Sequence, residues 1–276
     1  MPKPSSETSP APGPEKKDAS QRSQTLVRGL EIIESLVSGP ASIAWIAAAT
    51  GLTYPTAHRF IQTLVERRYL RPVEGQRYGL GPKLVELGFA AHGQNDLVRL
   101  ARPWLEDLAR RSRDAVHLAR REGNEVVYLD KFPGARAIEI SSRVGGRKPV
   151  ISTGVGKALL LDEGEDTLHR LYETDYGLMT NPISESVWME RMERYRAGGY
   201  AFDLGEDDNS VRCVAAPLRD ASGKIVGGIS VSSAIEFMDG TRMTALIKEV
   251  KEAAAAISAE LGHDPKAIHN FSIYER

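Results

Sequence analysis

The sequence predicts an α+β fold in two parts: an N-terminal winged helix-turn-helix and a C-terminal antiparallel sheet with flanking helices. Three short helical patterns and a small hairpin follow one another within residues 23–81, which is the order of elements in a winged helix. Beyond residue 114 the pattern changes to alternating strands with turn residues between them. With 276 residues, of which 41% are hydrophobic, the chain is long enough for two separate cores.

Apolar spacing and capping residues predict the first two helices. In the first helix the apolar side chains that recur with the helical period, and that we expect to face the core, are Leu26, Leu30, Ile33 and Val37. The second helix is expected within "SIAWIAAAT", with Ser42 as its N-terminal cap and Gly51 at its end.

The third helix is amphipathic and has a polar outward face. Its apolar stripe consists of Ala57, Phe60, Ile61, Leu64 and Val65. The candidate DNA contacts at its start and along its opposite face are Thr53, Tyr54, Thr56, His58, Arg59, Gln62 and Thr63. Threonine, arginine and glutamine side chains suit base edges and phosphates in a DNA groove. The alternative is an ordinary solvated face.

A hairpin with arginines follows the third helix. Two extended runs, 69–73 and 77–80, surround a Glu-Gly-Gln turn, and Arg71 and Arg77 are candidate DNA contacts there. Residues 21–80 hold seven arginines against four glutamates, whereas residues 162–210 hold four arginines against thirteen acidic residues. This asymmetry favours a polyanion as the partner of the N-terminal part.

The remaining chain divides by composition. Residues 1–22 are rich in Pro, Ser, Glu and Lys and predict a disordered tail. A linking helix is expected over 82–95, a second domain over 96–262 and a C-terminal tail over 263–276. The strands expected in the second domain are 115–121, 125–132, 137–144, 199–204, 211–220 and 224–233. Its helices are expected after Thr153, near 165–174, near 185–198 and over 240–261.

Three features of the second domain bear on chemistry. "STGVGKALL" does not have the spacing of a phosphate-binding loop, but backbone N–H groups at a helix start can hold a small carboxylate. Ser230 and Ser232 share one face of a strand and either line a polar pocket or are exposed. A thiol hydrolase is conceivable, with Cys213, Asp203 and one of His117 or His169 as its catalytic residues. However, Cys213 lies in the apolar strand "RCVAAPL", which favours a buried cysteine.

These motifs together resemble the IclR-type transcriptional regulators over residues 24–262. The segments that carry the resemblance are "LVRGLEIIESL", "GLTYPTAHRFIQTLVERRYL", "RYGLGPKLVELG", "STGVGKALL", "GGYAFDLGE" and "RCVAAPLRDASGKIVGGISVS". The resemblance implies a winged helix-turn-helix, a linking helix and a GAF-like domain that binds a small organic acid. It also implies a homodimer or dimer of dimers on double-stranded operator DNA.

Carried over by motif position, the resemblance implies an effector pocket. It would use the backbone N–H groups of Gly154 and Val155 and the side chains of Asp203, Cys213, Ser230 and Ser232. Val155 stands where alanine is common in the family, which would narrow the pocket. Tyr54 and Pro55 replace the usual Lys-Ser at the start of the recognition helix, which removes a phosphate-binding lysine. "VHLARREGNEVVYLDKF" and "SSRVGGRKPVISTGVGK" resemble the 2-keto-3-deoxygluconate, or sugar-acid, branch.

The expected function is therefore a DNA-binding transcriptional regulator, a repressor of a carbon-catabolism operon, controlled by a small carboxylate. No run of 18 apolar residues and no secretory signal occurs, so the expected location is the cytoplasm and no membrane partner is expected. A single cysteine and histidines without ligand spacing argue against disulfides and a metal site, and no cofactor is expected. The alternatives are a small-acid hydrolase that uses Cys213 and a protein-interaction module.

Overall fold

The computed structural model describes residues 24–94, 96–136 and 142–265. It divides into two compact units, Met1–Ala91 and His92–Arg276, and the division falls inside a helix, Pro82–Gln94 (α4). The predicted tail at 1–22, most of the predicted strand at 137–144 and most of the predicted tail at 263–276 lie outside the described residues. None of the helices in the described ranges has the length and apolar character that a membrane span requires.

In its described residues, the first unit contains three complete helices, a small antiparallel sheet and most of α4. Its helices are α1 (Gln24–Ser35), α2 (Ile43–Thr50) and α3 (Tyr54–Glu66). Its strands are β1 (Ala41–Ser42), β2 (Leu70–Val73) and β3 (Arg77–Leu80), in the spatial order β1-β3-β2. The predicted winged helix-turn-helix is confirmed, and β1 adds a short strand that the sequence did not predict.

The core of the first unit confirms one predicted stripe and corrects another. In α3, Ala57 and Ile61 are fully buried, and Phe60, Leu64 and Val65 pack against them. Ile32 of α1 is buried, as is Leu36 directly after the helix. The expected stripe is largely exposed: Leu26 63%, Leu30 48% and Val37 38%, with Ile33 partly buried. "LVRGLEIIESLV" carries two overlapping apolar stripes, and spacing alone does not decide which one packs.

The ends of α2 follow the predicted capping chemistry. The Ser42 hydroxyl accepts a hydrogen bond from the Trp45 backbone N–H, at 3.3 Å. Gly51 ends the helix with φ at 65°, a left-handed conformation that glycine adopts without a side-chain clash. These two residues therefore fix the turn that leads into α3.

The second unit is a six-stranded antiparallel sheet with helices on both faces. Its helices are α5 (Leu97–Ser112), α6 (Gly154–Leu159), α7 (Glu165–Asp175), α8 (Glu185–Gly198) and α9 (Gly240–Glu260). Its strands are β4 (Ala115–Glu122), β5 (Glu125–Phe132), β6 (Arg147–Pro149), β7 (Ala201–Asp203), β8 (Val211–Arg219) and β9 (Ile225–Ala234). They lie in the order β6-β5-β4-β9-β8-β7, so the predicted α+β class is confirmed.

Each face of this sheet buries its own core. One face packs against α5 and α9 through residues such as Val116, Val214 and Val231. The other face packs against α6, α7 and α8, where Trp188 is fully buried and its Nε1 donates to the Ile151 carbonyl at 3.0 Å. Because successive side chains of a strand point to opposite faces, β4, β5, β8 and β9 each contribute to both cores.

Gly81 lies between β3 and α4, where the backbone of Arg68 passes too close for any other side chain. Its N–H donates to the Tyr69 carbonyl at 2.7 Å, and a Cβ at this position would overlap the backbone of Arg68. We expect Gly81→Ala to lower the free energy of unfolding of the first unit by about 1–3 kcal/mol. Amide hydrogen exchange at increasing urea, followed in peptides from residues 24–81, measures this, because it reports on the first unit separately from the second.

Gly88→Ala is the matched control, because a Cβ at this exposed position in α4 meets no atom within 4 Å. It should raise the stability by about 0.5–1 kcal/mol through helix propensity. Equal effects of the two substitutions would contradict the packing at Gly81.

Candidate functional site

The outward face of α3 is polar and open to solvent. Thr53, Tyr54, His58, Arg59 and Thr63 are exposed. Thr56 and Gln62 are half-buried. Pro55 lies in the first turn, where its missing N–H leaves no helical hydrogen bond unmade. The departure from the family pattern at Tyr54 and Pro55 is therefore compatible with a complete recognition helix.

Several candidate side chains of α3 already have partners within the helix. The hydroxyls of Thr53 and Thr56 lie 2.9 Å apart, and the Thr63 hydroxyl donates to the Arg59 carbonyl at 3.2 Å. The Tyr54 ring stacks with the His58 ring, with centroids 6.4 Å apart. Within the described part of the chain, the side chains of Arg59 and Gln62 make no hydrogen bond, so their donors remain available to a ligand in solvent.

The hairpin adds positive charge, part of which is already used. Arg71 is exposed on β2, whereas the Nε of Arg77 donates to the Glu74 carbonyl at 3.1 Å and braces the turn. Arg68 pairs with Glu86 at 2.6 Å, which partly neutralises it. Arg71 and the remaining donors of Arg77 are therefore the hairpin groups best placed to contact phosphates.

In the second unit, the predicted effector residues lie together on one face of the sheet. Asp203 on β7 pairs with Cys213 on β8, which in turn pairs with Ser232 on β9, so the three form a row across neighbouring strands. Ser230 lies two residues along β9 and therefore on the same face, opposite His117 of β4. With Val155 of α6 they line a cavity of about 40 Å³, several times the space that one water needs.

Gly154 begins α6 directly against Cys213. A Cβ on Gly154 would overlap the Cys213 sulfur, so glycine permits this close approach. The backbone N–H groups of Gly154 and Asp203 both lie within hydrogen-bonding reach of that sulfur. The Gly154 N–H, which the resemblance assigns to a ligand, therefore faces the thiol, and Gly154 is not among the residues that line the cavity.

The cavity also contains polar side chains that the sequence did not single out as ligand contacts. They are His117, Tyr128, Ser142, Lys148, Thr153, Asp207 and Asp208. His117 lies between two hydroxyls, with Nε2 at 2.6 Å from Ser142 and Nδ1 at 3.5 Å from Ser232. Lys148 pairs with Asp207 at 3.2 Å. The sequence alone did not predict these contacts, because local patterns do not reveal the strand order that brings His117 beside Ser230.

Burial sets the protonation of the pocket. Burial raises the pKa of Asp203 to about 7, although two backbone N–H groups, from Gly205 and Glu206, donate to its Oδ1 at 2.9 Å. Burial, with the Lys131 charge, lowers the pKa of His117 to about 3. At neutral pH the imidazole is therefore uncharged, and burial favours the protonated form of Asp203 far more than in a solvent-exposed carboxyl group.

The thiol-hydrolase alternative is not supported. Burial, reinforced by Asp203, raises the pKa of Cys213 to about 12, so the sulfur is a thiol rather than the nucleophilic thiolate. The ring nitrogens of His117 contact Ser142 and Ser232, while the exposed His169 pairs with Glu185 at 2.6 Å. In the described residues neither histidine is hydrogen-bonded to the sulfur, as a general base would be.

A buried ion cluster underlies the pocket. Glu206 is 2% exposed, and its Oε1 lies 3.0 Å from the Lys157 Nζ and 2.7 Å from the Arg191 Nη1. Its Oε2 accepts from the Leu204 backbone N–H at 2.5 Å. Although burial alone raises the pKa of Glu206, the Lys157 charge lowers it to about 2, so the carboxylate is ionised at neutral pH.

Comparison with known families agrees with this arrangement. Residues 25–74 match the IclR helix-turn-helix domain, and residues 89–259 match the C-terminal domain of bacterial IclR transcriptional regulators. A winged helix with an exposed polar recognition helix, followed by a sheet-based unit of this type, defines a DNA-binding transcriptional regulator. The chain belongs to the IclR family.

Individual relatives extend along nearly the whole chain. It is 32% identical to the HTH-type transcriptional regulator XynR of Escherichia coli K12, over 87% of this chain and 98% of that protein. It is 30% identical to KdgR of the same organism, over 75% and 81%. The structure of the Agrobacterium tumefaciens repressor BlcR superposes with a TM-score of 0.74 at 25% identity, covering 89% of this chain and all of that one. These relatives are regulators by name, which agrees with the prediction that the protein is not an enzyme.

Removing the charge of Glu206 should destabilise the second unit strongly. Glu206→Gln leaves the Lys157 ammonium buried without its carboxylate, which we expect to cost about 3–5 kcal/mol of unfolding free energy. Glu190→Gln is the control, because Glu190 is 67% exposed and lies 3.8 Å from Arg194, and it should change stability by less than about 0.5 kcal/mol. Chemical denaturation compares the two variants, and similar stabilities would show that Lys157 does not depend on Glu206.

Proposed function

We propose that the protein is a repressor of a carbon-catabolism operon whose affinity for its operator is controlled by a small organic acid, such as a sugar acid or keto acid. The observation that carries this proposal is the cavity of the second unit, where polar side chains from several strands converge beside the start of α6. Buried polar groups that converge on a small cavity are typical of a ligand site. The likeness to a protein named as a repressor supports the direction of control.

The chemistry of the cavity favours a carboxylate that also carries a hydroxyl or carbonyl group. Lys148 places a positive charge at the wall, beside Asp207, and Asp203 in its protonated form does not repel an anionic oxygen. Ser230, Ser232 and the neutral His117 offer both donors and acceptors, which suit a hydroxyl or carbonyl. Val155 narrows the space, which favours a compact molecule. The likeness to KdgR and the motifs of β4 and β5 favour the sugar-acid branch.

In this proposal α3 reads the operator and the hairpin binds its backbone. Arg59 and Gln62 contact base edges, because their donors are available and the two side chains suit guanine and adenine. The remaining contacts along the surface are Thr53, Tyr54, Thr56, His58 and Thr63 of α3 with Arg71 and Arg77 of the hairpin. Such a surface binds DNA with a strong dependence on salt.

We also propose that the protein works as a homodimer or a dimer of dimers in the cytoplasm, where the operator lies. Two helices of the first unit leave large apolar side chains in solvent, including Leu26 of α1 at 63% exposure and Val85 and Phe89 of α4 at 71% and 81%. Exposed apolar surface of this kind marks an association site. Two-fold symmetry then predicts a palindromic operator with half-sites about 34 Å apart, or a multiple of that distance.

The second unit, which we propose is GAF-like, must change operator affinity through a difference between two states. A ligand that binds both states equally changes nothing, so the acid must prefer the arrangement that binds operator less well. Mobility shift with fragments upstream of the gene, at low and high salt, tests the whole proposal. Absence of binding to every such fragment at low salt would refute it.

Arg59→Ala and Gln62→Ala should each weaken specific binding by about 1–3 kcal/mol and leave the unfolding free energy unchanged, because both side chains are outside the core. Fluorescence anisotropy with operator and with random duplex measures the specificity ratio. Arg170→Gln, on the exposed surface of α7, serves as the control for general charge loss. If both α3 variants keep the operator preference of the wild type, sequence readout lies elsewhere.

Ser230→Ala combined with Ser232→Ala should abolish the response to the acid but preserve operator binding. The two hydroxyls are buried in the cavity, and their loss leaves the ligand's polar groups unpaired. A thermal-shift screen of sugar acids and keto acids on wild type, double mutant and the exposed control Ser186→Ala measures this. If an acid raised the unfolding temperature of the double mutant as much as that of the wild type, the pocket assignment would be wrong.

Ligand affinity should fall as the pH rises through about 7, by up to about tenfold per pH unit above that value. The raised pKa of Asp203 means that its proton is present below pH 7 and lost above it, and ionised Asp203 repels a carboxylate. The low pKa values of Glu206 and His117, about 2 and 3, keep both from titrating in this range. Calorimetry from pH 6 to 8 tests this, with Asp203→Asn as the variant that should remove the slope. A flat profile in the wild type would contradict it.

A further inference from the structure

A second cavity lies in the same unit, between α8, the edge strand β7 and the first turn of α9. Its volume is about 380 Å³, and its lining includes Arg191, Arg194, Tyr195, Tyr200, Phe202 and Arg212. We call it the arginine groove. It shares no lining residue with the effector pocket.

Strand alternation separates the arginine groove from the effector pocket. Asp203 and Cys213 line the pocket, whereas their neighbours Phe202 and Arg212 line the groove. Because adjacent residues of a strand point to opposite faces, β7 and β8 serve both cavities with alternate side chains. The groove is therefore a separate cavity with its own lining residues.

The groove is positively charged, and one of its cations lacks a counter-ion. Within the described ranges Arg212 forms no ion pair, its Nε is buried without a hydrogen-bond partner, and its Nη1 reaches the Met238 carbonyl only at 3.4 Å. Arg194 is 64% exposed, with Glu190 3.8 Å away, and Arg191 pairs with Glu206. No carboxylate is among the described lining residues. A guanidinium without a counter-ion at the wall of such a cavity favours an anionic ligand.

The apolar part of the groove is aromatic. Tyr195, Tyr200 and Phe202 form one cluster, with the rings of Tyr200 and Phe202 centred 5.0 Å apart and Tyr195 set against both at 5.9 Å. Aromatic rings offer faces and edges to a planar ligand, and guanidinium groups stack on such rings. The first turn of the 21-residue helix α9 also borders the groove at Gly240 and Met243, and its N-terminus is capped by Asp239, which accepts from the Arg242 backbone N–H at 2.8 Å.

We propose that the arginine groove binds a small aromatic carboxylate, with the carboxylate on Arg212 and Arg194 and the ring against Tyr200 and Phe202. Arg191 connects this site to the effector pocket, because the same guanidinium pairs with Glu206 beneath Asp203. The groove is thus a second ligand site, at the edge of the sheet formed by β7.

Calorimetric titration of 2-naphthoate into the full chain tests the proposal. Binding with a Kd below about 1 mM is expected. The neutral analogue 2-naphthalenemethanol, which lacks the charge, and cyclohexanecarboxylate, which lacks the aromatic ring, should each bind at least about fivefold more weakly. This comparison uses the wild-type protein and does not depend on how any variant folds. No binding of 2-naphthoate, or equal binding of all three compounds, would overturn the proposal.

Variants then locate the bound molecule. Arg212→Gln should weaken 2-naphthoate binding about tenfold, because a charge-assisted hydrogen bond is lost. Two controls should leave the affinity for 2-naphthoate unchanged. Arg170→Gln makes the same change of residue on α7, and Ser230→Ala combined with Ser232→Ala removes the hydroxyls of the effector pocket. Loss of binding in the serine double mutant with normal binding in Arg212→Gln would place the molecule in the effector pocket and refute the groove.

Discussion

The buried carboxylate of Glu206 is the contact on which the second unit depends. It joins Lys157 of α6, Arg191 of α8 and the backbone of the turn after β7, three segments that are far apart in the sequence. A lysine that is 1% exposed is tolerated only beside an opposite charge, so the position of α6 against the sheet depends on Glu206. That position brings Gly154 against Cys213 and gives the effector pocket one of its walls. The ion cluster therefore supports the site without lining it.

The same arrangement explains why a pocket with a cysteine, a histidine and an aspartate favours binding over catalysis. Each of these groups is held in its neutral form, or near it, by burial: the thiol of Cys213, the imidazole of His117 and, at neutral pH, part of the Asp203 population. Neutral donors and acceptors in a small cavity can distinguish ligands by their hydrogen bonds, whereas a hydrolase needs a thiolate and a base. The likeness to transcriptional regulators along nearly the whole chain agrees with this chemistry.

Local patterns predicted those parts of the fold that depend on neighbouring residues. The stripe of α3, the caps of α2 and the hairpin were predicted correctly, because period, capping and turn chemistry act over a few residues. The inward face of α1 was wrong, since its two overlapping stripes are distinguished only by what packs on them. In the second unit, the resemblance predicted residues that the structure places around one cavity. That His117 and Lys148 also line this cavity is seen only from the strand order. Pairing between β4 and β9 joins residues more than 100 positions apart, which no local pattern reveals.

We infer that one chain couples acid binding in its second unit to operator binding in its first. Thermodynamic linkage is reciprocal. If the acid changes the affinity for operator by some factor, operator must change the affinity for the acid by the same factor. The most direct test measures both sides: operator affinity with and without saturating acid, and acid affinity with and without operator, at one pH and salt concentration. We expect saturating acid to weaken operator binding by about fivefold or more, and operator to weaken acid binding by the same factor within error. Tight binding of both operator and acid with no mutual effect would contradict it.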